Sequence, residues 1–283
     1  FSSTDFMRLK QETQTQGVKF GGMILSAMFM TSKRNGLPWA ILNIEDLGDS
    51  LECLCFPDVF AKYKDAIKTD VPVFIEGEYQ YNEEEDSRKI IARRIIPMTD
   101  AVSAYTTEVH IRLYEERLKD DSIAVLKEIL NRYRNMLNEY EKQQIVQIAM
   151  DYFEESESDF QMKLNDYFKD TINAAGSLEQ LDALIVSDRF GCMNSETSFL
   201  TREQKKFMSK KLREMKRKNN VVLCVKSNNG DIAFIETAAD YKLTASWEMI
   251  SEINETFGEG SIHLKVDKSV PEIRKRRFFK KAQ

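Results

Sequence analysis

The 283-residue chain carries 42% hydrophobic and 31% charged residues, which excludes a disordered segment and suits about two domains of roughly 100 to 200 residues each. Its formal net charge of -5 excludes a body that grips duplex DNA by bulk positive charge, so any nucleic-acid contact must be local. No apolar run approaches the roughly 18 residues of a membrane span, and the four cysteines and two histidines lack metal-ligand spacing, which together fit a reducing, cytoplasmic setting.

Residues 1–16, which begin with Phe1, read as a linker remnant from a longer chain. From 18 to 30 the sequence is apolar. It ends in a polar turn with Asn35-Gly36, the strongest short hairpin signal, so 39–45 is the return strand. A turn at 46–50 leads to a third strand at 51–56, and Pro57 opens a short helix, because a proline in the first helical turn gives up no needed N–H. Residues 71–79 and 89–96 supply two more strands around an acidic hairpin, Glu83 to Asp86. Three strands, a helix and two strands form the order of the OB-fold, a five-stranded, partly open barrel that binds oligonucleotides or oligosaccharides, and 17–100 is assigned to it. Cys53 and Cys55, two apart on an apolar strand, share one face and read as core. Glu45, Asp46 and Asp49 flank a turn, where aspartate bonds backbone N–H groups, and read as turn residues rather than metal ligands.

The second domain, 105–267, begins with a strand at 108–113 and an amphipathic helix at 122–133. Strands at 221–226, 232–236 and 261–266 and a helix at 245–257 follow, and the simplest pairing is a βαββαβ, ferredoxin-like unit with its helices on one face of the sheet. The fold class is therefore α+β. A helical insertion at about 135–218 interrupts the unit and ends in a basic helix from 201 to 218, where Thr201 and Gln204 form a capping-box pattern. Residues 268–283 make a basic tail.

The run Gly36-Leu37-Pro38-Trp39-Ala40-Ile41-Leu42-Asn43-Ile44-Glu45-Asp46, continued by Gly48-Asp49-Ser50-Leu51-Glu52-Cys53-Leu54-Cys55-Phe56-Pro57, resembles the OB module of the bacterial DNA polymerase III alpha subunit. Residues 73–78, 90–97, 110–113 and 258–264 are similar to further elements of that family's C-terminal region. The insertion has no counterpart. The resemblance implies a piece of a replicative DNA-directed DNA polymerase, a nucleotidyltransferase whose palm aspartates and magnesium lie upstream. This chain then has no catalytic residues and no cofactor of its own. Implied partners are single-stranded DNA, a clamp-loader tau-type subunit and other replisome subunits, with no membrane.

Single-strand binding by an OB-fold needs cations beside exposed aromatic rings. Lys33 and Arg34 at the first hairpin tip suit phosphate, while Trp39, Ile41 and Asn43 form the outward set of their strand. Phe56 shares the outward face of the third strand with Glu52, though cover by the following helix is an alternative. Arg88 and Lys89 border the acidic hairpin as further candidates. In the tail, Arg274, Arg276, Arg277, Phe278 and Phe279 mix cations with rings, and the resemblance implies partner docking there. Two other readings stay open: a stand-alone module for tRNA or single-stranded nucleic acid, and a protein-interaction scaffold with a vacant groove.

Overall fold

Strand β1 (Thr15–Thr31) is 17 residues long and serves two neighbours, which is how a five-stranded sheet closes on itself. The computed structural model describes residues 15–33, 35–82, 87–153, 158–187, 200–215, 219–238 and 241–271. The first half of β1 pairs antiparallel with β4 (Pro72–Asn82) and the second half with β2 (Pro38–Glu45). β2 continues to β3 (Ser50–Cys55), and β3 runs parallel to β5 (Ser87–Pro97), which returns antiparallel to β4. The closed order β1-β2-β3-β5-β4 is that of the OB-fold.

Alternation along these strands fills the barrel. Val18, Phe20, Leu42, Ile44, Ile75 and Ile90 are fully buried, and helix α1 (Pro57–Tyr63) adds Val59. Cys53 and Cys55 lie in the same core; burial pushes both thiols up, Cys55 to about 12, so both stay neutral and inert. On the outer surface Glu76 is nearly buried between Arg94 at 3.0 Å and Lys19 at 3.9 Å, a row that ties three strands together.

The barrel turns sharply where backbones come close. β4 and β5 slip register between Glu76 and Gly77, and a Cβ at Gly77 would collide with the Ile91 carbonyl oxygen and press on Ile90. Gly77→Ala is therefore expected to destabilise the barrel by about 1 to 3 kcal/mol through overpacking. Urea unfolding followed at Trp39 checks it, and an unchanged midpoint would show that the strands yield freely.

The chain divides between Ala101 and Val102, and the second unit runs to Asp267. Residues 98–105, expected to be linker, form helix α2 (Met98–Tyr105). Strand β6 (Thr106–Tyr114) leads into α3 (Ser122–Asn135), followed by α4 (Glu139–Tyr152), α5 (Ser158–Ala174), α6 (Leu178–Ser187) and α7 (Arg202–Glu214). The chain then returns through β7 (Asn219–Lys226), β8 (Ile232–Glu236), the short β9 (Lys242–Leu243), α8 (Trp247–Phe257) and β10 (Ile262–Val266).

The expected strands form in the expected order, with helices α2 and α6 and strand β9 in addition, but the ferredoxin-like pairing is not what forms. That arrangement splits its βαβ by inserting another strand, whereas β6 and β7 are direct parallel neighbours over seven residue pairs. The sheet order is β10-β6-β7-β8, with β9 beside β7. Burial explains the choice: every residue of β8 is exposed, which suits an edge, while Val221 and Val222 of β7 are buried and need a central position. Helices α3 and α8 cover one face, packing Leu126, Ile129, Met249 and Ile253 on Val109, Ile111 and Leu113.

The insertion builds its own core from Ile145, Phe168, Ile172, Leu181, Ile185 and Met208. Its caps follow the sequence. Asn138 and Glu141 form a capping box on α4, and on α7 the Gln204 N–H donates to Thr201 Oγ1 at 3.3 Å while the Thr201 N–H donates to Gln204 Oε1 at 2.7 Å. The apolar stripe of α7 is spent on packing: Met208 and Leu212 are buried, and Phe207 stacks on Tyr152 at 3.7 Å. Its cations are partly paired, Lys211 with Glu214 and Arg213 with Asp182.

Candidate nucleic-acid interface

Even-numbered β2 residues, Ala40, Leu42 and Ile44, fill the barrel, so Trp39, Ile41 and Asn43 face outward and are half-buried. On β3 the odd-numbered Leu51, Cys53 and Cys55 point inward, which leaves Glu52 and Leu54 outside. Neighbouring strands align these side chains in rows. Met28 pairs with Ile41, Ile41 with Leu54 and Leu54 with Ile91. Ser26, Asn43, Glu52 and Lys89 make the next row, and Met30 lies opposite Trp39.

At the end of the sheet Phe56 turns the chain into α1, with extended backbone just ahead of Pro57. Its ring is 37% exposed and stacks on Trp39, with centroids 6.1 Å apart and planes 26° from parallel. Helix α1 does not cover it. Met28, of the same outward parity, is 62% exposed close by, whereas Phe29, also 62% exposed, shares the parity of its inward partner Ala40 and meets Phe60 edge to face at 5.8 Å. The surface is thus an aromatic and methionine platform, suited to stacking bases of any identity.

The first hairpin rises beside it. Gly36 takes a left-handed conformation at φ 70°, its N–H donates to the Ser32 carbonyl at 2.8 Å, and exposed Lys33 stands at the tip. Arg34 lies outside the described residues. Lys89 joins the face through its row with Glu52, which places one acid among the candidate contacts. Arg88 does not join: it shares the inward parity of Ile90 and Ala92 and pairs with Tyr81, which packs on the barrel core. The tail candidates Arg274, Arg276, Arg277, Phe278 and Phe279 also lie outside the described residues.

The acidic turn is a turn. Asp46 Oδ1 accepts from the Gly48 N–H at 2.8 Å and the Asp49 N–H at 3.1 Å, so its carboxylate is committed to the backbone. Among the described residues no group of three His, Cys, Asp or Glu side chains is placed to hold a metal ion.

Sequence reading missed Met28, Met30 and Leu54 as parts of the platform. The available signal was the length of the apolar run in β1, which exceeds what one inward-facing parity can bury.

Comparison with known proteins bears on what this platform serves. Over 134 residues, 47% of the chain, it is 25% identical to DNA polymerase III subunit alpha of Pseudomonas aeruginosa, of which the match covers 11%. Over 167 residues, 55% of the chain, it is 29% identical to the same subunit of Saccharopolyspora erythraea, covering 14% of that protein. The Escherichia coli subunit is 24% identical over 132 residues, 46% of the chain and 11% of that protein. The chain is a relative of DNA polymerase III subunit alpha. Its matches span little more than a tenth of these alpha subunits. No family model matches the chain. Among solved structures, a single-stranded DNA-binding (SSB) domain from Synechococcus aligns over 30% of the chain and 97% of its own length, at 15% identity and TM-score 0.26. The S. pombe Stn1-Ten1 complex aligns over 30% of the chain and 59% of that one, at 19% identity and TM-score 0.25. The barrel assignment comes from strand pairing alone. Among the described residues of this alpha-subunit relative, no helix is long and apolar enough to cross a membrane.

Proposed function

We propose that the chain is the OB-fold and C-terminal part of a bacterial replicative polymerase, a DNA polymerase III alpha subunit, and that its barrel guides single-stranded template DNA. The observation that carries the reading is the stacked Trp39–Phe56 pair on the outer face of β2 and β3, the face an OB-fold uses for oligonucleotides. Bases stack on this pair and on the neighbouring methionines, while Lys33, Arg34 and Lys89 meet phosphates. Nucleotidyl transfer and its magnesium belong to other parts of the polymerase, and the work of this part is binding and positioning in the cytoplasm. In the same reading the second unit and the tail, with Arg274, Arg276, Arg277, Phe278 and Phe279, dock a tau-type clamp-loader subunit and other replisome proteins; the support for this is the family resemblance.

The aromatic character of the platform sets an expected salt dependence. Two or three phosphate contacts give a slope of log K against log salt of about -1.4 to -2 for a single strand. Fluorescence anisotropy of a labelled oligothymidylate measures it, and Lys33→Glu with Arg34→Glu is expected to flatten the slope by about 1.4. Absence of salt-sensitive binding would refute template guidance, and a preference for structured tRNA would favour a stand-alone RNA module. For docking, deletion of 268–283 is expected to abolish co-purification with a clamp-loader subunit; retention would exclude the tail.

A further inference from the structure

Among the described residues of the second unit, the helices that pack on the sheet do so on one face. Opposite the face packed by α3 and α8, side chains of the other parity stand in open rows. His263 of β10 pairs with His110 of β6, their rings edge to face with centroids 6.5 Å apart, and the row continues through Val222, which is buried, to exposed Glu236 at the edge. Two residues along, Arg112 pairs with Cys224 and Cys224 with Phe234; two further, Tyr114 pairs with Lys226 and Lys226 with Ile232. These rows line a depression of about 350 Å³.

The chemistry of the face is aromatic and cationic in alternation. Phe234 is 67% exposed at the edge strand, with Ile232 55% exposed two residues away on the same face. Arg112 and Lys226 are exposed, and neither has an ion-pair partner among the described residues. The acid at the margin, Glu108, is engaged by His110 at 3.0 Å and Lys265 at 3.2 Å, and those hydrogen bonds hold its carboxyl below the usual carboxylate range. Exposed Glu236 is the acid left facing the rows. Arg117 already lies over the Tyr114 ring at 4.7 Å, so Phe234 and the two histidines are the open rings.

A four-stranded sheet with exposed rings and flanking cations has the form by which single strands are held, bases on rings and phosphates on cations. We propose that this open sheet face is a second binding surface for single-stranded DNA, with Phe234 and His263 stacking bases and Arg112 and Lys226 contacting phosphates. A protein groove would present a continuous apolar strip, whereas here each ring has a cation in a neighbouring row. The site is independent of the barrel; the choice of DNA over RNA rests on the polymerase reading.

The test uses the full chain and a long oligodeoxythymidylate carrying 4-thiothymidine, with photo-crosslinked peptides identified by mass spectrometry. Adducts are expected in β6 or β8 as well as in β2 and β3. Arg112→Glu with Lys226→Glu, both at exposed positions, is expected to reduce the β6 and β8 adducts by about tenfold or more while leaving the barrel adducts unchanged. Barrel adducts without sheet adducts, or sheet adducts indifferent to the charge reversal, would overturn the inference and leave the barrel reading intact. Sheet adducts without barrel adducts would support it and count against the barrel. A dimer that Phe234→Ala dissolves without any change in oligonucleotide binding would make the face a contact between copies, and would overturn it too.

Discussion

Replacing Trp39 with alanine is expected to weaken binding of an oligothymidylate by about 1 to 3 kcal/mol, roughly 5- to 150-fold, the value of one stacked base. Phe56→Ala is expected to cost a similar amount. Because the two rings stack on each other at 6.1 Å, the double variant should lose less than the sum of the two. The fold tolerates these changes, since Trp39 is half-buried on the outer face and Phe56 is 37% exposed, outside the barrel core. Binding can be watched at the ring itself. The chain has two tryptophans, so Trp247→Phe leaves Trp39 as the sole indole, and its emission should be quenched as bases stack. Tight binding with no change in Trp39 emission, or no loss in either alanine variant, would remove the platform from the binding surface.

Asn219→Ala should be the most damaging polar substitution in the second unit. Asn219 is fully buried at the start of β7; its Nδ2 donates to the Thr106 carbonyl and its Oδ1 accepts from the Ala245 N–H at 2.7 Å. One side chain thereby ties the start of β6 and the entry to α8 to the central strand. Truncation leaves two buried backbone groups without partners, each at about 1 to 3 kcal/mol, so a loss of about 2 to 5 kcal/mol is expected. In urea this lowers the midpoint by about 1 to 2 M. In a Trp39→Phe background, Trp247 at the first turn of α8 reports this unfolding directly. A midpoint unchanged within error would mean that water replaces the amide, and the clasp would be structurally idle.

How much of the interface was legible depends on strand patterning. On β2 the apolar residues Ala40, Leu42 and Ile44 alternate with Trp39 and Asn43, so the outward set could be read directly. On β5 the run from Arg88 to Ile96 mixes charges and apolar residues without clean alternation, because a register slip at Glu76 and Gly77 shifts the pairing. Arg88 and Lys89 group together in the sequence because both border the acidic hairpin, although adjacent strand residues face opposite sides. On β1 Met28, Phe29 and Met30 continue an apolar run, and only the pairing of Met28 with Ile41 and Met30 with Trp39 shows which of them share the outward face.

The sequence by itself determined the principal strands, the helix cap at Thr201, the Gly36 hairpin and the outward set on β2, because each depends on residues within a few positions of one another. Only the tertiary structure decided that β7 lies directly beside β6 across the intervening helices, that Phe56 closes onto Trp39, and that the described helices of the second unit pack on one face of its sheet. Pairing of that kind is a competition among distant edges, settled by which strands can be buried on both sides, and no local pattern contains the outcome.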